Sequence, residues 1–352
     1  MRTFRTAILP TLWSFALVAC GGLAAPNPPP PDPNSTVLKS NLTRNTNPAV
    51  PSGDLARLAE DDNAFAFALY DRLRGQSQDN LFISPFSISQ ALAMTFAGAR
   101  GQTESQMQAT LRFSLGQTRL HPAMNALDLA LASRGQGASG ADGKGFRLKV
   151  ANSLWGQRGY SFLAPFLDTL AVNYGAGLNV LDFHDNPEGS RQTINQWVAT
   201  KTEDKITEFL ERGMITGSTR LVLTNSVFFN AAWAEVFPPE LTADRNFHRA
   251  AGGDVTAPMM SNTKQFPYAA GAGWQAVELP YDGQELAMLV IVPDAGGLNA
   301  TENDLALHGV APIVAALGDE SVHVTLPRWK IDNKRMLRRD LQAMGMTEPF
   351  DG

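Results

Sequence analysis

A single cysteine, Cys20, is all the thiol chemistry the 352 residues contain, so no internal disulfide is available and the folded part must hold by packing alone. Histidine is almost as scarce, and the five present, His121, His184, His248, His308 and His323, stand in unrelated settings. A catalytic triad can be assembled in space from distant residues. The chain nevertheless has no Gly-x-Ser-x-Gly, no His-Glu-x-x-His and no Walker loop, so its residues do not speak for an enzyme and call for no metal or cofactor. Basic charge is in deficit: 29 Lys and Arg against 34 Asp and Glu give a net charge of −5, which leaves no stripe for nucleic acid. What is present, 44% hydrophobic and 18% charged, is a globular composition long enough for one large or two ordinary domains.

Two local patterns suggest chemistry and fail on context. Gly135-x-Gly137-x-x-Gly140 has the letters of a dinucleotide fingerprint, but a helical stretch precedes it and a strand-like run from Phe146 to Trp155 follows, the reverse of what that motif needs; a loop is the better reading. Asp182, His184, Asp185 and Glu188 crowd together like metal ligands. They lie between a strand and a helix, where acidic residues complement the helix dipole, and that explains them without a metal.

The first twenty residues have the form of an export signal, Arg2 and Arg5 ahead of an apolar run from about Ala7 to Ala19 that is too short to span a bilayer comfortably. The run ends Leu17-Val-Ala-Cys20-Gly21, which resembles a bacterial lipobox and makes Cys20 the expected lipid attachment point. Residues 21–53, rich in proline, are expected to be an extended tether of about 3.1 Å per residue. From Asp54, Leu58, Phe65, Leu69 and Leu73 predict a helix to Arg74. Ser84 before Pro85 predicts the start of a second helix, apolar on most sides and therefore buried, with Ser84 and Ser87 at its entrance. Thr103 and Gln106 form a capping box for a third.

The centre of the pattern is Leu221 to Trp233, thirteen residues without Pro or Gly, expected to form one long strand. Its apolar face is interrupted by Asn225. A buried amide left without partners costs about 1–3 kcal/mol, so another segment must satisfy it. Beyond Trp233 short strands are expected at Pro258, Phe266, Trp274 and Ala287, then a helix from Asp304 to Leu317, a strand from Val322 to Ile331 and a last helix through Leu341.

These stretches together resemble the serpin family: Asn80 to Gly98, Asn152-Ser-Leu-Trp155, Ile194-Asn-Gln-Trp-Val198, Leu223-Thr-Asn-Ser-Val-Phe-Phe229, Phe237, Pro258-Met-Met260, Glu278-Leu-Pro-Tyr281, Met288 with Pro293, and Leu326-Pro-Arg-Trp-Lys-Ile331 with Met344-Gly-Met346. They follow the family's order from about Asp62 to Phe350. The resemblance implies an α+β serpin fold with a large, mostly antiparallel central sheet. It implies a polar shutter of Ser84, Ser87 and Asn225, and a breach at Trp233 where the sheet first opens. It implies suicide inhibition of a serine protease, with a cysteine protease as the alternative target, by insertion of a cleaved loop beside the long strand. A monomer is expected. The reactive loop and the last strands are expected beyond Gly352, which would make residues 54–352 a serpin domain incomplete at its C-terminus and inactive as it stands. A non-inhibitory member that binds other proteins, or chaperones them, is the alternative. Asp204, where the family has glycine, and Ala231-Ala232 before Trp233 depart from the pattern.

Overall fold

Leu58, Phe65, Leu69 and Leu73 fall on one side of a helix turning every 3.6 residues. In a computed structural model of the chain they are wholly buried on α1 (Asp54–Arg74), within the bounds their spacing predicts. The structure describes residues 35–76, 80–135, 138, 140, 147–250, 252–331 and 335–350. The export signal with Cys20, the tether as far as residue 34, and Gly137 of the glycine-rich loop lie outside the described residues.

Around α1 pack α2 (Pro85–Phe96), α3 (Gly101–Leu111) and α4 (Gly116–Ala132), and α5 (Ala164–Tyr174) packs on α4. Leu58, Phe65, Leu92, Phe96, Met107, Phe113 and Met124 make the helical core, which α9 (Arg338–Ala343) closes with Leu341. On this layer lies a sheet of four described strands in the order β1-β3-β2-β4: β1 (Thr36–Leu38), β3 (Leu178–Leu181), β2 (Arg147–Gln157) and β4 (Leu221–Asn230). Only β2 and β3 run parallel. Neighbouring residues of a strand face opposite ways. Leu154 and Leu223 therefore meet Met94 of α2, while Trp155 and Val222 pack under Trp197 of α6 (Pro187–Lys201) on the other face. Among the described residues no strand pairs with the second edge of β4.

The chain then builds a second sheet from β5 (Ala243–His248), β6 (Asp254–Gly271), β7 (Trp274–Pro280), β8 (Ala287–Pro293) and β9 (Gly318–Pro327). Its eighteen-residue β6 pairs with β5, then β9, then β7. The separate strands expected at Pro258 and Phe266 are thus one. The turn after Tyr281 places Gly283 and Gln284 at positive φ, 91° and 54°, and joins β7 to β8 at Asp282-Gly283, a pair that suits a tight hairpin. The single helix expected from Asp304 to Leu317 is two, α7 (Leu298–His308) and α8 (Ala311–Ala316), divided at Gly309 with φ 67° and ψ −162°, a backbone state glycine reaches without strain.

Three expectations are corrected. The long strand ends at Asn230, because Ala232 and Ala234 turn their backbone to Asp282 and Pro280; Trp233 is left in an isolated bridge to Tyr281. The capping box does not form. Helix α3 begins at Gly101, so Thr103 is inside it, and Gln106 Oε1 instead accepts from the amides of Thr347 and Glu348 at 2.9 and 2.8 Å. The described part of the tether is not a free spacer: Thr36 to Leu38 pair antiparallel with β3, and Asn45 N donates to Val172 O at 2.9 Å.

Candidate functional site

Helix α2 enters the core through Ser84-Pro85, with proline in the first turn where its missing N–H costs nothing. One turn on, the fully buried Ser87 points its hydroxyl at Asn225 of β4. The Ser87 proton is shared between Asn225 Oδ1 at 2.9 Å and Ser84 O at 3.0 Å. Asn225 Nδ2 donates to Ser87 O at 2.9 Å and to Asn152 Oδ1 at 2.5 Å, from the residue directly opposite it on β2. Asn152 Nδ2 then donates to Gln90 Oε1 at 2.7 Å, and Gln90 Nε2 to Asp128 Oδ1 on α4 at 2.9 Å. Every amide in this line gives with its nitrogen and takes with its oxygen. The polar groups that the strands and α2 bury are therefore satisfied in one direction, from β4 down to the helical layer.

The structure brings Asn225 and Ser87 together directly. Ser84 joins through its backbone carbonyl, and its side chain makes no capping bond to α2. Trp233 sits apart, past the end of β4. Its ring stacks on Tyr281 with centroids 4.9 Å apart at 11° and meets Phe237 edge-on at 6.1 Å, on the rim of the second sheet's core. Asn152 and Gln90 were not singled out by sequence reasoning. Their signal is faint but real: alternation puts Asn152 on the face of Leu154, and Gln90 follows Ser87 by three in a helix that is mostly apolar. Asp182 does not gather ligands; it accepts from Asp185 N at 3.0 Å and pairs with Arg158 at 3.3 Å, and both contacts hold its carboxyl below the usual range.

Among the titratable groups buried in the helical layer, Asp62 and His121 are the two whose ionisation is shifted toward the neutral range of pH or held neutral through it. Asp62 on α1 accepts from Ser89 Oγ at 2.5 Å through one oxygen and has no partner for the other. Burial pushes its carboxyl up to about 7; Ser89 opposes the rise and Asp61 adds to it. His121 on α4 is pushed down to about 4 by burial, assisted by the charge of Arg100. Gln117 gives its amide nitrogen to Phe96 O at 2.7 Å, so its oxygen accepts from His121 Nε2, and Tyr174 O–H donates to Nδ1 at 2.7 Å. Imidazole is thereby fixed in one neutral tautomer.

Residues 60–352 match the family model Serpin (serine protease inhibitor). An uncharacterized serpin-like protein of Thermococcus kodakarensis is 36% identical over 288 residues, 82% of this chain and 65% of its own length. The human leukocyte elastase inhibitor is 34% identical over 307 residues, covering 84% of this chain and 79% of its own. Among solved structures, emu ovalbumin superposes with a TM-score of 0.77 at 26% identity, over 84% of this chain and 79% of that one.

Proposed function

This chain belongs to the serpin family, and from that premise we propose that it is the body of a protease inhibitor rather than an enzyme, acting as a monomer on a serine protease. The observation that carries the reading is the edge of β4. That strand offers a ladder of backbone groups with no described partner on one side, and it rests on α2 through hydrogen bonds instead of apolar contact alone. An unpaired edge is a template for an added strand. In the serpin manner the added strand is a loop that the target protease has cut, and its insertion beside β4 distorts the acylated protease. Asn225, Ser87 and the Ser84 carbonyl form the latch over which the sheet moves, and Trp233, stacked at the join of the two sheets, marks where opening starts. The similarity to leukocyte elastase inhibitors favours an elastase-like target.

Cys20 carries the lipid that holds the exported protein at a bacterial envelope or surface; the lipobox-like Leu17 to Cys20 supports this. Incorporation of labelled palmitate, lost in Cys20→Ser, tests the anchor. For inhibition, the full product of the gene is mixed with trypsin-, chymotrypsin- and elastase-like proteases. An adduct that survives boiling in detergent is expected with one of them, whereas cleavage that leaves every protease active and unbound contradicts the reading.

A further inference from the structure

Residues 35–50 lie across the outside of the domain, and their contacts reach into the latch. Thr36 to Leu38 extend the first sheet by pairing with β3. Ser40 Oγ then donates to Asp168 of α5 at 2.5 Å, and Asn45 N to Val172 O of the same helix at 2.9 Å. Arg44 crosses to α4, where Nε meets Asn125 Oδ1 at 2.9 Å and Nη2 meets Asp128 Oδ2 at 2.5 Å. The wholly buried Asn125 returns a bond to Asn45 O at 2.7 Å. Two glycines make room for the segment. A Cβ on Gly177 would stand 2.8 Å from Leu38 O and from side-chain atoms of Val37 and Lys39, and one on Gly175 would stand 2.9 Å from the Arg44 stem.

Asp128 therefore holds Arg44 with one oxygen and Gln90 with the other. From Gln90 the line continues through Asn152 to Asn225. A charged hydrogen bond at the surface end polarises the chain of amides behind it and fixes the Gln90 rotamer that Asn152 must meet. The same segment fastens β3 and α5 to α4, so movement of the sheet over the helices has to strain it.

We propose that residues 35–50 are a strap that restrains the central sheet, and that Arg44 is a positioning residue that sets the Asn225 latch from the surface by way of Asp128 and Gln90. The proposal rests on reading the latch as the place where the sheet parts from α2. Its test uses no protease, so it can fail while inhibition stands, or hold where inhibition fails.

Native-state hydrogen exchange is measured on the chain and on four variants, Arg44→Met, Gly177→Ala, Gln90→Leu and the Gln90→Leu/Arg44→Met double, with near-ultraviolet circular dichroism to show that each is folded. Arg44→Met removes the charge but keeps the stem; Gly177→Ala pushes the strap off its seat without touching Arg44. Each is expected to speed exchange of the β4 and β2 amides flanking Asn225 and Asn152 by about tenfold, the scale of one charged hydrogen bond, while β6 and β9 keep their rates. In a Gln90→Leu background, Arg44→Met is expected to add nothing further at β4, because the line is already cut. Faster exchange confined to α4 and α5, an equal rise in every element, or an Arg44→Met effect undiminished by Gln90→Leu overturns the proposal.

Discussion

Phe266, Val277, Leu279, Val324 and Leu326 close the second sheet with side-chain volume, whereas β4 meets α2 through Ser87, Asn225, Asn152 and Gln90. On the second sheet a polar line through Thr325, His323 and Thr263 lies at the exposed surface, and the buried Asn262 donates to Val236 O at 2.7 Å. Beneath the first sheet the polar line runs between strand and helix, from Asn225 through Asn152 and Gln90 to Asp128. Among the described residues no carboxylate or imidazole is buried in the second sheet. Apolar packing is dense and falls off steeply with separation, so surfaces joined that way stay joined. Hydrogen bonds between protein groups exchange against others at a net difference of only about 1 kcal/mol each. A surface that must slide can therefore be held by them and released. The second sheet is held by packing, and β4 is held to α2 in part by such exchangeable bonds.

The largest blow to this contrast comes from the packed sheet. Phe266→Ala opens a cavity in the second sheet and should lower the urea-unfolding free energy by about 3–5 kcal/mol, with β4 exchange rising no more than exchange elsewhere. A selective loosening of β4 would show that the two regions are not separate in kind.

Next is the pH response of the helical layer. Folded Asp62 keeps its proton up to about 7 against 3.8 for an ordinary aspartate, so its contribution is whole below about 4 and is lost as pH rises through 7. His121, lowered from 6.5 to about 4, acts in the opposite sense and costs stability as pH falls from 6.5 through 4. The two oppose each other over most of that range, and above 6.5 Asp62 acts alone. Asp62→Asn should remove the alkaline-side loss, on the order of 2–4 kcal/mol at about 1.4 kcal/mol per pKa unit, read from urea midpoints between pH 4 and 8. A variant curve parallel to that of the parent chain would take Asp62 out of the account.

Asn225→Ala strands Ser87 and Asn152 and should cost about 1–3 kcal/mol, with exchange at β4 accelerating more than the global loss explains. Uniform acceleration would make the latch an ordinary core contact. The smallest effect belongs to the surface pair Lys264 and Glu235, 3.5 Å apart with both side chains about half exposed. Lys264→Ala should change stability by less than about 1 kcal/mol, and a larger change would mean that charge as well as packing fastens the second sheet.

What sequence could show of all this follows from range. The stripe from Leu58 to Leu73 is local, and it gives α1 its bounds. Asn225 stands out because one apolar strand face frames it. Its tie to Ser87 came from family resemblance, since the two are 138 residues apart and no periodicity links them. The line through Asn152, Gln90 and Asp128 stayed hidden because it depends on a strand register and on the facing of two helices. Strand β1 gave no sign, being three exposed residues in a proline-rich setting whose pairing is decided by the free edge of β3 and by the absent side chain of Gly177. Strand β5, exposed at every position, lacks the alternation that announces a strand. The break at Gly309 was missed because apolar residues continue across it.

The most direct test of the central claim is hydrogen exchange along β4 before and after a target protease cleaves the protein. If the edge accepts a new strand, those amides from Leu221 to Asn230 that face away from β2 become protected by orders of magnitude once cleavage is complete. If their rates are the same in the cut and uncut protein, no strand has entered and the account is wrong.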